Sequence, residues 1–343
     1  MHGLNYENGR YCFTRAADTP AAWHGLGGET PAKAPLEVWL KNSGMDFEIL
    51  TRTSEFQVDE KTRVVANKKN AKGDEVAEFC GLIHSRSKKV LDQVGANYVV
   101  HQPREIAETF KKLCDTNGFT MDTMGVLHGG KRFWGLASNE MYGKMSGNSK
   151  DVIKPYLLLA SGCEMATTAQ LTTVRVVCQN TLHMSLSDTA SLFKQRHTSA
   201  YNEEAMARAL GLEEAFGLHM DTLEKLAAEK IGNSEGVSLI LDLFAGKENR
   251  DKYGDDLEAY PTKTQNTVKK IVELNNGTAR GTFENQRGTK IQMLNAITEF
   301  VDHHQTRKGA AGLVRNNKTT DAIWWGAGAK TKEKAFKRLA LAA

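Results

Sequence analysis

The sequence predicts an α+β fold, with a strand-rich antiparallel N-terminal part carrying a few helices and a mainly α-helical C-terminal part. Three observations carry this. Between residues 47 and 137, short alternating apolar segments are separated by glycine- and lysine-rich turns, as in an antiparallel sheet. From residue 203 onward the apolar residues recur at i, i+3 and i+4, the helical rhythm. With 40% apolar and 25% charged residues among 343, the chain has ample material for a core. That composition excludes disordered, collagenous and disulfide-scaffold classes.

Each element has its own signal. Residues 1–35 hold Pro20, Pro31 and Pro35 with Gly25, Gly27 and Gly28 and few periodic apolar positions, so they read as an irregular arm leading into a short helix at 36–43. Strands are predicted at 48–53, 63–66, 79–84, 98–101, 120–127 and 132–137. One helix interrupts them: Pro103 starts it, Ile106, Ala107, Phe110, Leu113 and Cys114 form its apolar face, and Asn117-Gly118 closes it. Further strands are predicted at 156–160 and 174–178, the latter with Val174, Val176 and Cys178 on one face. Helical spacing marks 203–210, 213–231, 235–245, 262–274 and 289–304. The expected organisation is an arm (1–35), an α+β sheet domain (36–200), a helical region (201–304) and a basic C-terminal segment (305–343) ending in an amphipathic helix.

No apolar run approaches the roughly 20 residues that cross a bilayer, and residues 1–10 lack the apolar core of a signal peptide. The five cysteines form no CxxC pair and leave one over in any disulfide scheme. They read as reduced thiols, so a cytoplasmic protein is expected, with no membrane partner and no cofactor.

Charge narrows the choice. Net charge is +4, yet residues 305–343 hold nine Lys/Arg against two acids. Residues 61–112 hold eleven Lys/Arg against six acids. A basic end segment on a near-neutral body is the electrostatic form of a nucleic-acid contact, or else a solvated tail. The segment Trp324-Trp325-Gly326-Ala-Gly328-Ala-Lys330 precedes a short helix on which Lys330, Lys334, Lys337 and Arg338 share an arc of about 100°. Ala335, Phe336 and Leu339 lie opposite. A lysine stripe with two tryptophans suits a phosphate backbone with stacked bases, and the same tryptophans would equally anchor the helix on the body. Arg175, pointing away from the Val174/Val176/Cys178 face, is a surface charge or an anion contact.

Other motifs carry less. Gly125 to Lys131 has the GxxxxGK spacing of a phosphate loop, but Arg132 replaces the hydroxyl residue and a strand pattern follows, so a glycine hairpin turn is expected. On the 289–304 helix, Ile291, Leu294, Ile297 and Val301 share an apolar arc while Asn295, Glu299, Asp302 and His303 cluster on another. Glu299, Asp302 and His303 have the chemistry for a divalent metal or an acid/base pair, but no second ligand set completes a cage. A polar face bonded to a neighbouring loop is the competing account. Cys178 reads as core; a nucleophile there would need His183 or His197 brought to it.

Several stretches together resemble one family. They are Trp23-His24-Gly25-Leu26-Gly27, Tyr156 to Ala160, Val174-Arg175-Val-Val-Cys178-Gln-Asn180-Thr181-Leu182, Arg196-His197-Thr198, Asn295 to His303 and Trp325-Gly326-x-Gly328-x-Lys330. They resemble the phage/plasmid-like family of uncharacterised proteins, a domain of unknown function found in phages, prophages and conjugative plasmids. One departure is Ser161-Gly162-Cys163-Glu164, where the resemblance implies a His-Asp-Gly, as in many relatives, after the leucine-rich strand. The resemblance implies a mobile-element context without an activity. The N-terminal half also resembles the β-β-α cores of phage single-strand annealing proteins.

The leading expectation is therefore a protein that handles single-stranded DNA in replication or recombination. The Lys/Arg stripe and the 61–112 block would follow phosphates while Trp324, Trp325 or Trp134 stack on bases. Such a protein is expected to form a homo-oligomer and to meet phage or host replication proteins; Trp23 and Leu26 are candidate contacts between subunits. The alternatives are a metal-dependent enzyme acting on nucleic acid or nucleotides through Glu299, Asp302 and His303, and an inhibitor of a host defence factor.

Overall fold

Thr120–Leu127 and Arg132–Ser138 form the antiparallel hairpin expected from the paired glycines. In the computed structural model, Gly129 and Gly130 take φ of 71° and 104° in the turn, and His128 takes 53°. Positive φ at glycine costs little, so this turn closes a hairpin and opens no phosphate loop. The structure describes residues 6–7, 9–17, 27–69, 72–116, 118–139, 142–145, 150–175, 180–183, 192–200, 202, 212–280, 282–305 and 326–341. The architecture is α+β, strand-rich first and helical later.

The chain divides into two units that interleave in sequence. The first comprises Met1–Asn139, Leu157–Gln170 and Leu192–Leu210; the second comprises Glu140–Tyr156, Leu171–Ser191 and Gly211–Ala343.

In the first unit the hairpin is extended on one side by Phe13–Ala16, antiparallel to Thr120–Leu127, and then by Gly28–Thr30, parallel to Phe13–Ala16. Phe13 and Ala16 are fully buried. The expected irregular arm thus supplies an inner strand of the sheet. Proline and glycine density conceals it, because the strand is only four residues long. On the hairpin's other side lie the long strands Val152–Gly162 and Met165–Arg175, each of which runs on along the chain into the second unit. Helix Pro103–Thr116 buries the predicted Ile106, Ala107, Phe110, Leu113 and Cys114. A smaller sheet orders Val90–Gly95, Phe79–His84 and Ile49–Thr53. Two short ribbons, Glu55–Gln57 with Arg63–Val65 and Asn67–Lys69 with Glu75–Ala77, are largely solvent-exposed. Residues 98–101, expected as a strand, are irregular.

The second unit is built around helix Lys290–Glu299. Ile291, Leu294 and Ile297 are buried as predicted, and so are Gln292, Thr298 and Glu299. Thr289 caps it, its hydroxyl accepting from the Gln292 amide. Helices Leu212–Ala228, Thr262–Glu273 and Ala327–Leu341 and strand Asn180–His183 pack on it. Helix Asn233–Phe244 packs against Thr262–Glu273 and Ala327–Leu341. The predicted helix at 203–210 lies outside the described residues. Among the described residues no helix is long and apolar enough to cross a membrane.

His219, on Leu212–Ala228, is fully buried; its Nε2 meets Thr173 Oγ1 at 3.2 Å and its Nδ1 has no hydrogen-bond partner among the described residues. Burial pushes its pKa down from 6.5 to about 4. The folded state therefore holds it neutral, while the unfolded chain takes up a proton first. The resulting stability is complete above pH 6.5 and is lost as pH falls toward about 4, amounting to about 3 kcal/mol. Denaturant melts at pH 7 and pH 4 should show this loss, and His219→Leu should remove most of it. An identical pH dependence in the variant would contradict the assignment.

Candidate nucleic-acid interface

The C-terminal helix Ala327–Leu341 is rich in alanine, leucine and lysine, residues that lose little on entering a helix. Its inner face is buried at Ala329, Lys332, Ala335, Phe336 and Leu339, the i, i+3, i+7 spacing of an amphipathic helix. Phe336 packs beside His219, with ring centroids 5.3 Å apart. Lys332 is the unexpected member. Its Nζ donates to Asp302 Oδ1 at 2.7 Å, and the two side chains are only 2% and 4% exposed. Two buried charges are tolerable only in close contact, so this pair fixes the rotation of the helix about its axis.

With Lys332 inside, Lys330, Lys334 and Arg338 are exposed and Lys337 is partly so. Their local partners are loose. Lys334 Nζ donates to the Asp242 carbonyl at 3.3 Å, and Lys337 meets Glu333 at 2.9 Å along the helix. Arg338 lies 3.3 Å from Asp242, a carboxylate that also holds Arg250 at 2.7 Å. Arg250 is met in turn by Asp255 at 2.7 Å, so these two arginines and two acids balance, and the positive excess of this surface comes from Lys330 and Lys334. Exposed pairs of this kind contribute little stability, so phosphates can replace them at small cost.

The other predicted residues scatter. Arg175 ends its strand opposite Asn180. Its side chain, like Trp324 and Trp325, lies outside the described residues. Trp134 is corrected: it is 1% exposed, stacked 5.8 Å from Phe13 in the core, and meets no base. The 61–112 block divides. Arg63, Arg86, Arg104 and Lys111 pair with Glu55, Asp46, Glu37 and Asp115, whereas Lys61, Lys68 and Lys69 stand exposed on or beside the short ribbons.

Glu299, Asp302 and His303 do not converge. Glu299 is 2% exposed, its Oε2 accepts from the Arg280 amide at 2.7 Å, and its Oε1 lies 3.3 Å from His304. Asp302 is occupied by Lys332, and His303 is exposed. Among the described residues no three His, Cys, Asp or Glu side chains form a metal-ligating group. This polar face ties down the loop at Arg280.

Cys178 and the His183 side chain lie outside the described residues. His197 presents Nδ1 to the Val99 carbonyl and Nε2 to the Met165 carbonyl, each at 3.0 Å. Both nitrogens face backbone carbonyls, and the neutral ring can donate to only one of them. Its pKa is pushed down by burial first and by the neighbouring His101 second. It stacks 4.7 Å from Tyr98 and 4.2 Å from His101, whose Nδ1 bonds Thr167 at 2.8 Å. Sequence reasoning missed this cluster because residues 98–101 alternate like a strand.

The Lys332–Asp302 pair generates a direct test. Lys332→Met should cost about 3–5 kcal/mol in a denaturant melt, because it removes the cation from a buried carboxylate. Adding Asp302→Leu should recover most of the loss. A cost below about 1 kcal/mol for the single change would show that the helix is not held by this pair.

Comparison with known proteins gives a family and no activity. No curated protein and no solved structure matches the chain. A family model described as a domain of unknown function, DUF932, matches residues 90–324, which include Asp302 and stop just ahead of the Ala327–Leu341 helix. With well over half of the chain matched, this protein belongs to the DUF932 family of uncharacterised proteins.

Proposed function

We propose that this protein binds single-stranded DNA for a phage or conjugative plasmid and acts in replication or recombination in the host cytoplasm. The observation that carries the reading is the one-sided C-terminal helix. A buried Lys332–Asp302 contact turns Lys330, Lys334, Lys337 and Arg338 outward together. Such a row follows a phosphate backbone, and binding then releases counterions. Trp324 and Trp325, just before the helix in sequence, would supply stacking rings, and Arg175 a further anion contact. The phage and plasmid context rests on the motifs named above. Handling strands of useful length calls for several subunits, so self-association is part of the same proposal.

Anisotropy titration of a labelled single-stranded oligonucleotide at several salt concentrations tests it. Affinity should fall as salt rises. Lys334→Glu with Lys337→Glu should weaken binding and flatten the log–log salt slope by roughly 1.4, about 0.7 for each phosphate of a single strand that is no longer neutralised. Stability should change by under about 0.5 kcal/mol per site, as usual for surface charges. A sharp fall in melting temperature with unaltered affinity would make the stripe structural.

A further inference from the structure

The first unit contains a cleft that none of the predicted site residues lines. Tyr6–Glu7 and Arg10–Tyr11 pair as a two-stranded ribbon in which Tyr6 lies opposite Tyr11. The two rings meet edge to face, with centroids 5.1 Å apart at 70°. Tyr6 is 61% exposed, an unusual position for a large aromatic ring whose edge is already supported by a second one. Beside the ribbon opens a cavity of about 480 Å³ lined by Tyr6, Arg10, Tyr11, Gly27, Glu29 and Asn42, among others. That volume falls within the roughly 300–1,000 Å³ of small-molecule sites.

The lining combines three chemistries. Tyr6 offers an aromatic surface. Arg10 donates Nη2 to the Lys41 carbonyl at 2.8 Å, and among the described residues Nε and Nη1 have no hydrogen-bond partner, so they can meet an anion. Asn42, which also lines the cleft, donates through Nδ2 to Thr30 Oγ1 at 2.9 Å, so its amide is held in place and, among the described residues, Oδ1 has acceptor capacity to offer. Glu29 adds carboxylate oxygens, held by Arg15. Gly27 lines the cleft with backbone alone; its φ is +88°, and the buried Phe13 ring occupies the place where a Cβ would stand. A ring to stack on, a guanidinium, and acceptors for exocyclic amines describe a nucleotide.

We infer that this cleft is a nucleotide site, with a base stacked on Tyr6, its polar edge toward Asn42 and Glu29, and a phosphate at Arg10. The inference rests on the single-stranded DNA reading for the larger ligand, but the same chemistry would take a free mononucleotide. The two sources separate experimentally.

The full chain, Tyr6→Ala and Tyr6→Phe should be titrated with deoxyadenosine monophosphate by saturation-transfer NMR. The same proteins should be titrated by anisotropy with a short oligodeoxyadenylate and with an abasic strand of equal length. The expected result is a mononucleotide signal lost in Tyr6→Ala and retained in Tyr6→Phe. Oligodeoxyadenylate affinity should fall about tenfold in Tyr6→Ala, the effect of removing one stacking ring, while abasic-strand affinity stays unchanged. Wild-type strand binding with no mononucleotide signal and no effect of Tyr6→Ala overturns the cleft and leaves the DNA reading standing. A Tyr6-dependent mononucleotide signal without strand binding does the reverse. Absence of all binding overturns both.

Discussion

A lysine buried against an aspartate decides which way the C-terminal helix faces. Lys332 and Asp302 are almost wholly removed from water, and neither tolerates that without the other. Once Lys332 points inward, the spacing of 3.6 residues per turn leaves Lys330, Lys334 and Arg338 no choice but to face solvent. Phe336 and Leu339 add apolar burial to the same face. A structural pairing thereby creates a chemical surface, because the cations are displayed by a rigid helix and are not scattered along a free tail.

The polar groups of helix Lys290–Glu299 follow the same logic in reverse. Glu299 accepts a backbone amide, Gln292 Oε1 accepts from Gly288 at 2.7 Å, and Lys290 meets Glu229 at 2.5 Å. Buried polar groups of this kind must be satisfied, and here they are taken up by neighbouring backbone and side chains. Residue types that suggest acid/base or metal chemistry thus serve to hold loops and helices. The histidines of the first unit are likewise built into the structure, His101 between Thr167 and the Ser199 carbonyl and His197 between the Val99 and Met165 carbonyls, one of which accepts from its ring.

Much of the fold was legible because local signals agreed with the global structure. The hairpin at 120–138 announced itself by paired glycines, and the C-terminal helices by their apolar spacing. What escaped was set by long-range packing. Phe13–Ala16 is too short for a periodic signal, yet it lies inside the sheet. Trp134 looks available in sequence because an aromatic residue beside a basic turn reads the same whether it faces the core or water. Lys332 does carry a signal. It falls at i, i+3, i+4 and i+7 with Ala335, Phe336 and Leu339, so an inward lysine requiring a buried acid could have been inferred. The Tyr6–Tyr11 cleft depends on the approach of segments more than 30 residues apart in sequence, which spacing does not reveal.

Lysine-reactivity footprinting by mass spectrometry, with and without a single-stranded oligonucleotide, tests the central claim most directly. The account predicts that Lys330, Lys334 and Lys337 are modified readily in the free protein and protected by the oligonucleotide, while Lys332 resists modification in both states. Modification of Lys332 at the rate of its neighbours, or outer lysines labelled equally with saturating oligonucleotide present, would contradict it.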